Sequence, residues 1–92
     1  MIKSFKDREA ERLFNRLSTR RWQGIARQAR RKLEMLNAAK SLNELRLPPG
    51  NRLEALKGTR QGRHNIRIND QWRICFVWRG TDAYDVEVTD YH

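Results

Sequence analysis

Apolar residues recur at helical spacing along the first half of this chain and at strand spacing along the second. After a short opening stretch, Met1-Ile2-Lys3-Ser4-Phe5, that has strand character, Asp7 offers a side-chain cap. Behind it Ala10, Leu13, Phe14 and Leu17 share one helical face. Ser18 and Thr19 interrupt the pattern. It resumes with Trp22, Ile25, Ala26, Ala29, Leu33 and Leu36, again on one side of a helix. The run Leu45-Arg46-Leu47-Pro48-Pro49-Gly50 cannot continue that helix, because each proline removes a backbone donor and biases the residue before it towards extended geometry. An exposed loop carrying both signs of charge is therefore expected from there through Asn51–Gly58 to the Gly62 turn.

Beyond Gly62 the period becomes two. His64, Ile66 and Ile68 alternate with Arg63, Asn65, Arg67 and Asn69. Asn69-Asp70 has turn chemistry, after which Trp72, Ile74, Phe76 and Trp78 alternate with Arg73, Cys75, Val77 and Arg79. Gly80-Thr81-Asp82 turns the chain again into a strand from Ala83 to His92. The pattern predicts one α+β domain over residues 1–92, with two N-terminal helices packed on the apolar face of a small antiparallel sheet. The other face carries Arg63, Arg67, Arg73, Asn65, Asn69 and Tyr91 and is expected to be open and basic.

Charge sharpens this picture. Against 11 Asp and Glu stand 20 Lys and Arg, most of them arginine, for a net charge of +9. Guanidinium groups pair bidentately with phosphate and stack on bases, so the balance favours a nucleic-acid partner over a merely solvated surface. A membrane partner does not fit, because no stretch joins a basic face to a long exposed apolar one. The single Cys75 can form no internal disulfide and has no metal-ligand neighbours in sequence. The opening residues lack the apolar core of a signal peptide. A cytoplasmic protein without a cofactor is expected.

Gly-rich phosphate loops, paired CxxC motifs and HExxH are absent. His64 sits on the apolar strand face and reads as a core or edge histidine. At the other histidine the residues Asp90-Tyr91-His92 concentrate an acid, a phenol and an imidazole at one strand end. Metal-free RNA cleavage needs a base for the 2′-hydroxyl, cations for the charge growing on phosphorus, and an acid for the leaving 5′-oxygen. Imidazole serves either proton role, Tyr91 can stack on a base or donate a proton, and Arg73 and Lys57 can oppose the charge. Alternation sets Arg73 and Tyr91 on one sheet face and His92 on the other, so a terminal kink is required for the three to meet.

The opening Met-Ile-Lys-Ser-Phe, the helical pair, the loop ending Leu56-Lys57-Gly58, the block Ile66-Arg67-Ile68-Asn69-Asp70-Gln71-Trp72-Arg73-Ile74 and the closing Asp90-Tyr91-His92 together resemble the HigB family of the RelE/ParE toxin superfamily. The resemblance implies a fold like that of microbial ribonucleases and cleavage of mRNA in the ribosomal A site. It also implies inhibition by a HigA-like helix-turn-helix antitoxin, with operator DNA engaged only through that antitoxin. Carried over by motif, the catalytic set is Lys57, Arg73, Asp90, Tyr91 and His92. Some relatives have a histidine three residues before the loop lysine, where this chain has Glu54; either cleavage is slow without it, or Glu54 or His92 takes its proton role. Arg60, Arg63, Arg67, Asn69 and Arg79 are the candidate RNA contacts. Two other readings stay open at this point: a noncatalytic RNA-binding block of translation, and a gyrase poison like the ParE branch.

Overall fold

A computed structural model describes residues 1–17, 22, 24–56 and 62–90. The first helix, α1 (Arg8–Phe14), starts where Asp7 accepts a hydrogen bond from the Glu9 N–H at 2.9 Å. It stops one turn earlier than the sequence pattern implies. Arg16 takes a left-handed backbone conformation with φ 62°, which turns the chain out of the helix and leaves Leu17, expected on the buried face, 47% exposed. The second helix, α2 (Ala26–Ala38), also begins later than expected. Gly24 falls in the turn before it, where its poor helix propensity costs nothing, and Ile25 occupies the N-cap position. Trp22 precedes the helix yet is buried, and Ala29, Leu33 and Leu36 are fully buried.

The segment after α2, expected to be a loop from Leu45 onward, is more ordered than its composition suggests. A 3₁₀ turn at Leu42–Arg46 is closed by a Ser41–Glu44 capping box, and the Glu44 carboxylate accepts from the Lys40 and Ser41 N–H groups, which hold it below the usual carboxylate range. A second 3₁₀ turn spans Pro49–Asn51. The two-residue strand β1 (Glu54–Ala55) then pairs with β2 (Arg63–Arg67), followed by β3 (Trp72–Arg79) and β4 (Asp82–Asp90). The sheet is antiparallel in the order β1-β2-β3-β4. Gly80, with φ 62°, lies in the two-residue hairpin between paired Arg79 and Asp82, where a positive φ matches the twist of the strands.

Strict alternation fails once, in β4. Cys75 pairs with Glu87 but Val77 pairs with Tyr84, so Asp85 and Val86 together face the single position between them. Asp85 absorbs the extra residue at φ 51°. The bulge is why Ala83, Val86 and Val88 all reach the core despite their uneven spacing. The opening stretch is not a full strand; Ile2 and Phe5 make isolated parallel bridges to Ala83 and Val86. Leu13, Leu33, Leu36, Leu45, Ile66, Ile74, Phe76 and Val86 are among the residues that join helices and sheet in one core. No helix of the described residues is long and apolar enough to cross a membrane.

Candidate active site

Side chains of β2 and β3 that point away from the helices form the expected basic face, but it is less open than alternation alone suggests. Arg73 is only 6% exposed and Asn65 only 1%. The cause is β1 with the turn before it, which cover that part of the sheet. Arg73 Nη1 donates to Asn65 Oδ1 at 2.6 Å and to the Arg52 carbonyl at 3.5 Å, while its Nη2 lies 3.5 Å from Glu54 Oε1. Register explains the meeting: Glu54 pairs with Asn65, Asn65 with Cys75, and Arg67 with Arg73, so the amide lies diagonally across from the guanidinium. A buried guanidinium needs such partners, because stripping its water without replacement is costly.

Arg52 reaches this position through a left-handed conformation with φ 45°. The preceding residue, Asn51, is fully buried and anchors the turn: its Nδ2 donates to the Leu45 and Leu47 carbonyls at 3.1 and 3.3 Å, and its Oδ1 accepts from Lys32 Nζ. Burial, and then the nearby charges of Arg31 and Arg67, lower the Lys32 pKa. Sequence reasoning missed both residues. In sequence Lys32 is one more cation in a helical charge run and Asn51 one more loop polar residue; only the hydrogen bond between α2 and the proline turn distinguishes them.

The other candidates separate. Arg63 donates to Glu87 Oε2 at 2.8 Å and to the Asp85 carbonyl at 3.3 Å, and Lys6 also reaches Glu87. Arg67 pairs with Asp70 across the β2–β3 turn. Asn69 spends its carbonyl oxygen on that turn, accepting from the Gln71 and Trp72 N–H groups at 2.8 Å. Arg79 stands at the far end of β3 from Arg73, its guanidinium carbon 5.4 Å from the centre of the Tyr84 ring. Asp90 pairs with Trp72, on the face opposite Arg73, and accepts from Gln71 Nε2 at 3.3 Å. It lines an open groove with Lys6, Asp7, Arg8 and Trp72. Lys57, Arg60, Tyr91 and His92 lie outside the described residues.

His64 is half-buried and stacks on Phe76 with ring centres 6.2 Å apart. Its Nδ1 is inaccessible and unpartnered, and burial lowers its pKa. A packing role fits these surroundings. Among the described residues no group of three or more His, Cys, Asp or Glu side chains is arranged to hold a metal ion. What the Arg73 cluster offers is a fixed cation that donates to two neutral oxygens, Asn65 Oδ1 and the Arg52 carbonyl, beside a carboxylate, Glu54, whose side chain is 45% exposed. Such a combination can bind an anion and move a proton beside it.

The family described as the RelE-like toxin of the type II toxin-antitoxin system HigB matches residues 3–92. Among curated proteins, Toxin HigB-1 of Vibrio cholerae is 52% identical over 48 residues, which is 52% of this chain and 50% of that protein. An uncharacterized protein of Haemophilus influenzae is 36% identical over 53 residues, 58% of this chain and 52% of that one. The matches thus span about half the length of these two relatives. Endoribonuclease HigB of Proteus vulgaris is 33% identical over 96 residues, covering all of both chains.

Proposed function

The chain belongs to the RelE-like HigB family of type II toxins, and from that membership we propose that it is an endoribonuclease that cuts mRNA on the ribosome and is held in check by a HigA-like antitoxin. The observation that carries the reading is the Arg73 cluster: a nearly buried guanidinium whose hydrogen bonds to Asn65 and Arg52 go to neutral oxygens, with Glu54 beside it. Such a cation opposes the negative charge that grows on phosphorus during phosphodiester cleavage.

The reaction is an internal transfer that uses no metal. The Glu54 carboxylate takes the proton of the 2′-hydroxyl, and the 2′-oxygen forms a bond to phosphorus. The bond from phosphorus to the 5′-oxygen breaks, and His92 gives that oxygen a proton. The products are a 2′,3′-cyclic phosphate and a 5′-hydroxyl end. Arg73 and Lys57 hold the non-bridging oxygens, Tyr91 stacks on a neighbouring base, and Asp90 supports the same strand end. Arg60, Arg63, Arg67, Asn69 and Arg79 contribute contacts to RNA along the sheet, those already paired within the protein by exchanging partners.

The test is cleavage of end-labelled mRNA on purified bacterial ribosomes. A discrete cut that disappears when the cognate antitoxin is added supports the reading. Stalled translation with intact mRNA would replace it with a noncatalytic block.

A further inference from the structure

One extra residue in β4 decides where Tyr84 points. Under strict alternation Tyr84 would share the helix-facing side of the sheet with Val86 and Val88, both of which are buried. The bulge turns it over. With Asp85 at φ 51°, Ala83 enters the core and Tyr84, opposite Val77, comes out on the face that carries Arg73. The bulge is held from both sides: the Asp85 N–H donates to Ser4 Oγ at 2.9 Å, and the Asp85 carbonyl accepts from Arg63 Nη2 at 3.3 Å. A non-glycine residue at positive φ persists only where its surroundings fix it, and such residues cluster at binding sites.

Tyr84 is half-buried, with Val77 across the strand pair and the Arg79 guanidinium carbon 5.4 Å from the centre of its ring. Ring, guanidinium and valine form a partly apolar patch on an otherwise basic sheet face. Val77 follows Arg73 by four residues on β3, which at ordinary strand rise is roughly 13 Å. An RNA strand drawn across the sheet from Arg73 therefore passes the patch within a few nucleotides. Unpaired bases of any identity stack on aromatic rings and on guanidinium planes, and arginine beside them meets the phosphates.

We propose that Tyr84, with Arg79 over its ring, stacks an unpaired base of the bound message a few nucleotides from the cut. The inference rests on the ribonuclease reading and adds to it a second grip on the substrate, apart from the Arg73 cluster. The grip is indifferent to sequence, since every base offers a π face.

Toxin binding is measured on ribosomes whose message carries a 2′-deoxy nucleotide at the cut, which keeps it whole, with single abasic sites scanned through the nucleotides not paired to tRNA. At one position beyond the two nucleotides that flank the cut, the abasic site should weaken binding of the parent ~10-fold. Tyr84→Leu should bind the unmodified message ~10-fold more weakly and lose nothing further at that position, because base and ring act as a pair. Tyr84→Phe, which keeps the ring, should stay within about twofold of the parent. On ribosomes whose message ends at the last tRNA-paired nucleotide, Tyr84→Leu and the parent should bind alike.

Abasic penalties that are the same in the parent and in Tyr84→Leu at every position overturn the inference. So does a Tyr84→Leu protein that melts like the parent and binds the message equally well, or whose loss of binding persists on the truncated message. Should Tyr84→Leu fail to fold, Tyr84→Thr, suited to an exposed strand position, carries the same comparison. A scan of the parent with no sensitive position beyond the flanking pair overturns the inference whatever the variants do. A parent that binds the all-ribose message without cutting it would instead sink the ribonuclease reading, and the binding comparison would still decide Tyr84 by itself.

Discussion

Arg73 on β3 and Glu54 on β1 stand 3.5 Å apart across a strand that separates them. The contact forms where β1 and the turn before it fold over the sheet, bringing the Glu54 carboxylate and the Arg52 carbonyl onto a buried strand arginine. Two roles for Glu54 follow from this position, and they call for opposite results. As the proton acceptor for the 2′-hydroxyl, Glu54→Gln should lower cleavage by ~10²-fold or more with ribosome binding retained. As a mere counterion that blunts Arg73, the same change should raise cleavage. Rate measurements at saturating ribosomes distinguish them, and the proposed reaction requires the fall. Glu54→His, which restores a group able to take a proton near neutral pH, should recover activity relative to Glu54→Gln.

A second basic surface is independent of that cluster. Arg16, Arg27, Arg30 and Arg31 line one groove with a single carboxylate, Glu34, among them. Arg30 is fixed by a hydrogen bond from its Nε to the Leu13 carbonyl at 3.0 Å, and Arg16 pairs with Glu34 at 3.0 Å. Replacing Arg27 and Arg31 together by alanine should weaken ribosome binding and lower the slope of log affinity against log salt by ~1–2. The cleavage rate at saturation should stay near that of the parent. An unchanged salt slope would remove this groove from the binding surface.

His64 gives stability a pH dependence of definite sign. Burial disfavours its charged form, and Nδ1 has no partner to offset that cost. As pH falls through the ordinary histidine pKa of about 6.5, the unfolded chain takes up a proton that the native imidazole resists, which draws the equilibrium towards unfolding. The contribution is therefore complete above that pH and is lost below it. Denaturant midpoints measured at about pH 8 and about pH 5.5 should differ less in His64→Leu than in the parent. Equal differences in the two proteins would show that other groups set the dependence.

Much of the fold was legible because local chemistry and burial agree there. Asp7 caps α1, Ala29, Leu33 and Leu36 mark the inner face of α2, and Ile66, Ile74 and Phe76 alternate as strands should. Legibility ended where one residue departs from its element's period. Arg16 ends α1 by a left-handed turn that no residue preference announces, and the Asp85 bulge resets the alternation of β4. The same holds at the site. Arg73 was identifiable as a strand arginine, but that it is buried depends on β1, two residues long, whose sequence Glu54-Ala55 has no strand signature. The partnership of Asn65 with Arg73 depends on register, and that of Asn51 with Lys32 on tertiary packing. Neither leaves a mark in periodicity.

The imidazole assigned to the leaving group offers a second route to the mechanism. His92→Ala should lower cleavage by ~10²–10⁴-fold while toxin-ribosome binding persists, since it removes a proton donor. Equal loss of binding and cleavage would assign His92 to recognition instead.

In the proposed reaction the 2′-oxygen of the substrate is the nucleophile and Arg73 stabilises its attack. This is tested most directly by an mRNA carrying a single 2′-deoxy nucleotide on the 5′ side of the scissile bond, presented on ribosomes and compared with the all-ribose message. The substituted message is expected to bind and remain uncut, and the all-ribose message to end in a 2′,3′-cyclic phosphate. Cleavage of the deoxy-substituted bond at an undiminished rate would contradict it.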